Sequence, residues 1–310
     1  MSYVSVQNLH VYYGKLHAVR GVSFDIPKGE VFGFIGPNGA GKSSTIKVLG
    51  TLMKPHTGTA MIDGIDIPKN PYVIRRRIGF MPDYFGVYPD LTVHDYLHFF
   101  AAAFHLPIRS RERTIGDVLA LTDLTGKRDA EVDSLSRGMK QRLGIARVLL
   151  HDPDVLLLDE PASGLDPRAR IEMRELLKEL RRLGKTILIS SHILHELAQL
   201  CTSVGIIEAG ELIVHGTLDH IYKQLGLLRI IHVQVTNIGQ MNLDQIRTLP
   251  GVQEVEQQAD RLALKVHEDQ TTPEDLLGRM IAVGCRVRMF QPEAMDIETA
   301  FMKLTKGKTA

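Results

Sequence analysis

A chain of 310 residues carries 37 Lys plus Arg against 36 Asp plus Glu. It is long enough for one large or two modest domains, and its balanced charge excludes an overall field that would draw nucleic acid or an anionic membrane. Its two cysteines, Cys201 and Cys285, stand far apart and outside any C-x-x-C, which excludes a disulfide framework and a cysteine zinc site. Residues Met1 to Gln7 lack the basic and apolar regions of a secretory signal. No run approaches the ~18 apolar residues of a membrane span; Phe99 to Phe104 stops at His105. A cytoplasmic chain is expected.

Residues 2–35 alternate apolar and polar positions, as in Val4/Val6 and Val22/Phe24/Ile26, and predict an antiparallel β piece. It leads into the apolar run Val31 to Ile35. Tyr12 and Tyr13 sit just before Gly14, where an aromatic ring either stacks on a base or is a half-buried strand residue. After Ile35 comes Gly36-Pro37-Asn38-Gly39-Ala40-Gly41-Lys42-Ser43-Ser44, then Thr45 to Leu49 at helix spacing. A buried strand that enters a glycine-rich turn and leaves as a helix fits G-x-x-x-x-G-K-[ST] in its proper context. The glycines let successive N–H groups point inward, and the new helix adds its positive end to the same anion site. Lys42 is then expected to reach the β/γ-phosphates of a nucleotide, and the Ser43 hydroxyl to ligate Mg²⁺.

Thr59 to Ile67, with Asp63-Gly64 at its centre, predicts a hairpin. A short strand, Ile78 to Met81, ends at Pro82 and the carboxylate of Asp83. From Thr92 to about Leu150 the pattern is helical, with Val93, Tyr96, Leu97 and Phe100 on one face. Near its end Ser136 is placed as the N-cap of a helix carrying Leu143, Ala146, Leu149 and Leu150 on one face. Ser136 and Gly138 read either as a second anion site or as a plain helix cap.

The run Val155 to Leu158 is that of a strand buried on both faces of a parallel sheet, and it ends at Asp159-Glu160. Asp159 can order Mg²⁺ through water, and Glu160 can orient or deprotonate a water attacking a γ-phosphate. A charged amphipathic helix, Pro167 to Leu183, returns the chain to the strand Thr186 to Ser190. That strand ends at Ser191-His192, whose imidazole can donate to a phosphate oxygen or be an ordinary structural histidine. His195 reads as a helix-surface residue, and His151-Asp152 as a loop before Pro153. From residue 229 the order of elements is βαββαβ followed by the helix Asp296 to Leu304, the split-βαβ, ferredoxin-like arrangement. A short polar tail, Lys306 to Ala310, closes the chain.

With the phosphate loop, the Leu135 to Gln141 segment, Asp159-Glu160, Ser163 to Asp166 and His192 in this order, the chain resembles the ATP-binding-cassette (ABC) transporter ATPases over roughly residues 2–226. Phe80 to Tyr84, Leu135 to Met139 and the stretch Asp296 to Leu304 are similar to drug-resistance-like cassettes that serve separate permeases of the bacterial ABC-2 exporter type. The resemblance implies an α/β fold: a P-loop NTPase cassette at 1–226, with a mixed sheet, an antiparallel β subdomain and a helical insertion at about 84–150. An accessory α+β, ferredoxin-like domain at 227–310 follows.

Position by position, the resemblance implies that Tyr13 stacks on adenine and that Gly36, Asn38, Gly39, Ala40, Gly41, Lys42, Ser43 and Ser44 bind phosphate. It makes Ser136 and Gly138 the signature residues that contact the γ-phosphate of ATP held by the other subunit. Asp159 becomes the metal-ordering carboxylate, Glu160 the catalytic one, Asp166 part of a subunit-contacting loop and His192 the switch histidine. ATP and Mg²⁺ are the implied cofactors. The implied partners are a second copy of the chain and integral membrane permease subunits, with no nucleic acid, at the inner face of the cell membrane. Two departures stand out. Arg137 and Met139 replace the usual second glycine and glutamine of the signature, and Asp83 replaces a glutamine that touches Mg²⁺ and relays contact with the permease. The C-terminal domain is expected to support the dimer. Alternatives are an importer cassette whose C-terminal domain senses a small molecule, a soluble non-transport cassette, and a cassette that does not hydrolyse.

Overall fold

The computed structural model describes residues 2–305 apart from 85, 87, 89, 226–227, 241–242, 260, 268–269 and 294–296. Gly226, Asp296 and the tail Lys306 to Ala310, named in the expectations above, lie outside the described residues, as does the side chain of His195. The described chain divides into two compact units that adjoin in sequence at His215 and Gly216.

In the first unit, β1 (Ser2–Tyr13) and β2 (Leu16–Pro27) form an antiparallel pair, and β3 (Val31–Ile35) is buried at every position. Helix α1 (Lys42–Leu49) follows, then β4 (Thr57–Ile62) and β5 (Ile65–Asp66). Asp63 and Gly64 join these strands at φ of 51° and 71°, the left-handed pair that a two-residue hairpin turn needs. Helix α2 (Pro71–Arg75) starts with proline, whose missing N–H costs nothing at that position. Then come β6 (Ile78–Met81), α3 (Val93–Ala103), α4 (Ile108–Leu121) and α5 (Arg137–Leu149). Thr92 caps α3 by accepting from the Asp95 N–H at 3.1 Å. The unit is completed by β7 (Val155–Asp159), α6 (Pro167–Arg182), β8 (Thr186–Ser191), α7 (Leu194–Ala198), β9 (Ser203–Glu208) and β10 (Glu211–Gly216).

The strands form two sheets, ordered β2-β1-β4-β5 and β10-β9-β3-β8-β7-β6. In the second, β8 lies parallel between β3 and β7. The register sets Ile35 beside Ser191 and Asp159 beside Ser190. Three turns that are distant in sequence therefore leave one edge of the sheet side by side. Aromatic packing joins the two sheets: Phe24 of β2 stacks on Phe32 of β3 at 4.9 Å between ring centroids, and Phe34 lies 5.6 Å from Phe24. Full burial of each such ring stabilises the fold by about 1.5–3 kcal/mol.

On α3, Val93, Tyr96, Leu97 and Ala101 face inward. The Tyr96 hydroxyl accepts from Arg147 of α5 at 3.3 Å. His151 is more than a loop residue: its ring stacks on Phe104 at 4.2 Å, and its Nε2 lies 2.9 Å from the Ile78 carbonyl oxygen. Burial pushes its pKa down.

The second unit contains α8 (Leu218–Gln224), β11 (Leu228–Val235), α9 (Leu243–Arg247), β12 (Val252–Gln258), β13 (Arg261–His267), α10 (Pro273–Ala282), β14 (Val287–Pro292) and α11 (Ile297–Leu304). Its strands pair antiparallel in the order β12-β13-β11-β14, the ferredoxin-like arrangement. Ile231, Val233, Leu262, Leu264, Leu276 and Met280 lie in its core.

Candidate functional site

The turn after β3 admits no side chain at two of its glycines. A Cβ on Gly36 would stand 2.3 Å from the Ile207 carbonyl oxygen, and one on Gly41 would stand 2.6 Å from that of Ala18. Gly39 and Gly41 also hold φ of 80° and 105°, values that L side chains rarely adopt. Gly41 is the N-cap of α1 and offers no capping side chain, so the first N–H groups of the helix remain available to an anion. Lys42, the first residue of α1, is buried. Its Nζ donates to the carbonyls of Gly36 at 2.6 Å and Pro37 at 3.3 Å, and lies 3.6 Å from Glu160 Oε1. Burial lowers the pKa of Lys42, and the nearby carboxylates of Glu160 and Asp159 oppose that shift.

Asp159 ends β7 as a buried carboxylate, and its Oδ1 accepts from Ser190 Oγ at 2.5 Å. Glu160 then bends the chain at φ of 51°, a left-handed backbone that persists where the surroundings hold it. Its N–H does this by donating to Ser190 twice, to Oγ at 3.0 Å and to the carbonyl at 3.2 Å. The Glu160 carboxylate is divided between two tasks. Oε2 lies 2.8 Å from His192 Nδ1, whereas Oε1 is buried with no hydrogen-bond donor among the described residues. Ser190 was not among the residues expected at the site; its one sequence signal is a polar residue at the end of an apolar strand.

A cleft of about 250 Å³ is lined by Tyr13, the loop from Pro37 to Ser44, Asp83 and Glu160. The Tyr13 hydroxyl lies 3.3 Å from Ser44 Oγ, and the residue is 43% exposed, which leaves it accessible to a ligand in the cleft. Asp83 is shared with a neighbouring cleft of about 430 Å³ lined by Tyr84, Gly86, Asp133, Arg137, Lys140 and Gln141. Ser136 and Gly138 do not line the Tyr13 cleft. Ser136 caps α5, accepting from Met139 N–H at 3.3 Å, and Gly138 is pressed so close to α6 that a Cβ would stand 2.9 Å from Ala169 Cβ. Asp166 caps α6 through Ala169 N–H at 2.9 Å.

Among the described residues there is no group of three or more His, Cys, Asp or Glu that could hold a metal. Ser43 and the Asp159 and Asp83 carboxylates are hard oxygen donors of the kind Mg²⁺ takes together with phosphate and water. The donor set therefore fits Mg²⁺ carried with a nucleotide.

The ABC transporter family model matches residues 19–163. The linearmycin resistance ATP-binding protein LnrL of Bacillus subtilis (strain 168) is 34% identical across 99% of this chain and 99% of that protein. A Nod factor export ATP-binding protein I of Burkholderia orbicola is 41% identical over 69% of this chain and 70% of its own length. Among solved structures, the ATP binding subunit of an ABC transporter superposes with a TM-score of 0.65 at 33% identity, covering 73% of this chain and 94% of that one. CbiO1 from Clostridium perfringens, part of the ABC transporter complex cbiONQ, has a TM-score of 0.65 at 29% identity, covering 72% and 92%. With the phosphate loop, the paired carboxylates and this likeness along nearly the whole chain, the protein belongs to the ATP-binding, ATP-hydrolysing subunits of ABC transporters.

Proposed function

We propose that two copies of this chain close on two ATP molecules and, by hydrolysing them, drive export through a separate membrane permease of the ABC-2 type. The observation that carries this reading is the separation of the two phosphate-binding features: Lys42 and Glu160 line the Tyr13 cleft, and Ser136 and Gly138 stand outside it. A second chain would bring its own Ser136 and Gly138 to that cleft. Export is supported by relatives named for resistance and for Nod factor export. Among the described residues no helix is long and apolar enough to cross a membrane, which suits a permease on another chain.

In this reading Tyr13 stacks on adenine, the N–H groups of Gly39 to Ser44 surround the phosphates, and Lys42 neutralises the β/γ oxygens. Ser43, Asp159 and Asp83 would hold Mg²⁺, which would supply charge neutralisation on the phosphates. Glu160 Oε1 orients a water and takes its proton as the water oxygen bonds to the γ-phosphorus and the bond to ADP breaks. His192 holds Glu160 by donating from Nδ1 to Oε2, and in its doubly protonated form Nε2 also donates, then to a γ-phosphate oxygen. Asp83, one methylene shorter than the usual glutamine and charged, links the nucleotide to the permease contact.

Glu160→Gln tests the reading. The amide keeps one acceptor for His192 but cannot take the proton, so hydrolysis should fall about 10²–10⁴-fold while ATP binding survives. Size exclusion with ATP and Mg²⁺ should then show a dimer. Hydrolysis at the parental rate would refute the assignment of Glu160.

A further inference from the structure

Arg137 is the first residue of α5, and the first turn of that helix carries no acidic residue. The positive end of a helix disfavours a cation there, and the exposed side chain turns toward the segment that precedes α6. Among the described residues no carboxylate pairs with Arg137, and its guanidinium lies on Gly164. A Cβ built on Gly164 would stand 2.4 Å from Arg137 Cζ and 2.6 Å from each Nη. Because the central carbon is nearer than either nitrogen, the guanidinium plane lies face-on over the glycine. Gly164 also has φ of 67°, so the backbone disfavours a side chain here, and an added methyl would have to displace the end of the exposed Arg137 side chain.

The same seam carries two further contacts. Gly138 is close-packed on Ala169, and Arg142 Nη2 lies 3.5 Å from Glu172 Oε2. Helices α5 and α6 thus begin side by side. The turn that leads into α6 is tied at its start by the Glu160 N–H on Ser190 and at its end by the Asp166 cap. Arg137 covers its middle.

We propose that Arg137 is a positioning residue: its guanidinium clasps the 161–166 turn, so that the Ser136–Gly138 face and the turn following Glu160 move as one body. The proposal rests on the dimer reading, in which Ser136 and Gly138 grip the partner's nucleotide. Through the clasp, the seating of that nucleotide is transmitted to the Glu160 of the same chain.

The test uses the full chain with Arg137→Gly, Arg137→Lys, Gly164→Ala and the Arg137→Gly/Gly164→Ala pair. Amide hydrogen exchange without nucleotide reads the clasp alone: Arg137→Gly should speed exchange at residues 162–165 about tenfold, a change in local opening. Turnover should fall about tenfold, with binding of a fluorescent ATP analogue unchanged within about twofold, a split that loss of folding would not produce. Arg137→Lys keeps the charge without the plane and should behave like Arg137→Gly. Gly164→Ala should slow the parent more than it slows Arg137→Gly, because only the parent has a guanidinium for the methyl to displace.

The proposal is overturned if either exchange or turnover stays parental in Arg137→Gly, if analogue binding falls by the same factor as turnover, or if the two substitutions simply multiply. If Glu160→Gln fails to dimerise while the exchange result holds, the dimer reading falls and the clasp stands. If it dimerises and exchange is unchanged, the clasp falls alone.

Discussion

Ser190→Ala is the sharpest test of how the carboxylate pair is built. Ser190 is fully buried between β3 and β7, and its hydroxyl serves both carboxylate residues at the end of β7: it donates to Asp159 Oδ1 at 2.5 Å and accepts from Glu160 N–H at 3.0 Å. Truncation leaves the buried Asp159 oxygen without its donor, a loss of about 1.5–3 kcal/mol for a bond to a charged group. The Glu160 N–H keeps the Ser190 carbonyl at 3.2 Å, so its share of the loss is small. The expected destabilisation is therefore about 2 kcal/mol, seen in urea as a lower midpoint at unchanged slope. Turnover should fall further than stability implies. Glu160 sits in a left-handed conformation held partly by this hydroxyl, and a shift of about 1 Å in a catalytic group lowers rates by as much as about 100-fold. Steady-state ATPase assays at saturating ATP would read it. A variant within about 0.5 kcal/mol of the parent that also turns over at the parental rate would sink the argument that Ser190 sets the carboxylate geometry.

Other expectations follow from the same geometry. Tyr13→Ala should raise the ATP KM about tenfold with little change in kcat, since ring stacking on a base contributes about 1–3 kcal/mol; an unchanged KM would remove Tyr13 from the site. His151 has its pKa held below the ordinary 6.5 chiefly by burial, partly offset by its bond to the Ile78 carbonyl and by Asp152, with Lys185 adding to the lowering. Between its folded value and 6.5 the unfolded chain binds a proton that the folded chain does not, so stability falls as pH drops through that window. His151→Gln should flatten this part of the pH profile of thermal unfolding, and a profile parallel to the parent would count against it. Asp83→Ala should break the link between ATP hydrolysis and transport in reconstituted membranes, and coupled hydrolysis at the parental level would end its assignment.

What could be read from residue order was whatever local rules govern. The run Val31 to Ile35 followed by Gly36 to Ser44 specifies strand, turn and helix within one short stretch, and Ser136 declares itself as a cap by chemistry and position. The βαββαβ order of the second unit was legible for the same reason, because each element carries its own period. Ser190 was not legible. Its role depends on β8 lying between β3 and β7, a pairing that no local pattern encodes. His151 does lie in a loop before Pro153, but its partners, Ile78 and Phe104, belong to other elements and no local pattern encodes them. In the sequence Arg137 stands out only as a departure from a motif; its contact with Gly164 depends on how α5 packs beside the turn that leads into α6.

The interposed position of β8 also bears on how the protein is made. Among the described residues β3 bonds within its sheet only to β8 and β9, so Val31 waits for Ile187, and Phe32 waits for both Leu188 and Ser203. During synthesis the phosphate loop leaves the ribosome long before the strands that fix its parent strand exist. Parallel pairing over such separations is intrinsically slow. ATP-binding competence should therefore arise late and abruptly in the nascent chain, after β9 has emerged. Once it has, ATP at about 100 times its dissociation constant would add about 2.7 kcal/mol to the folded state, so the nucleotide also acts as the finished cassette's stabilising ligand.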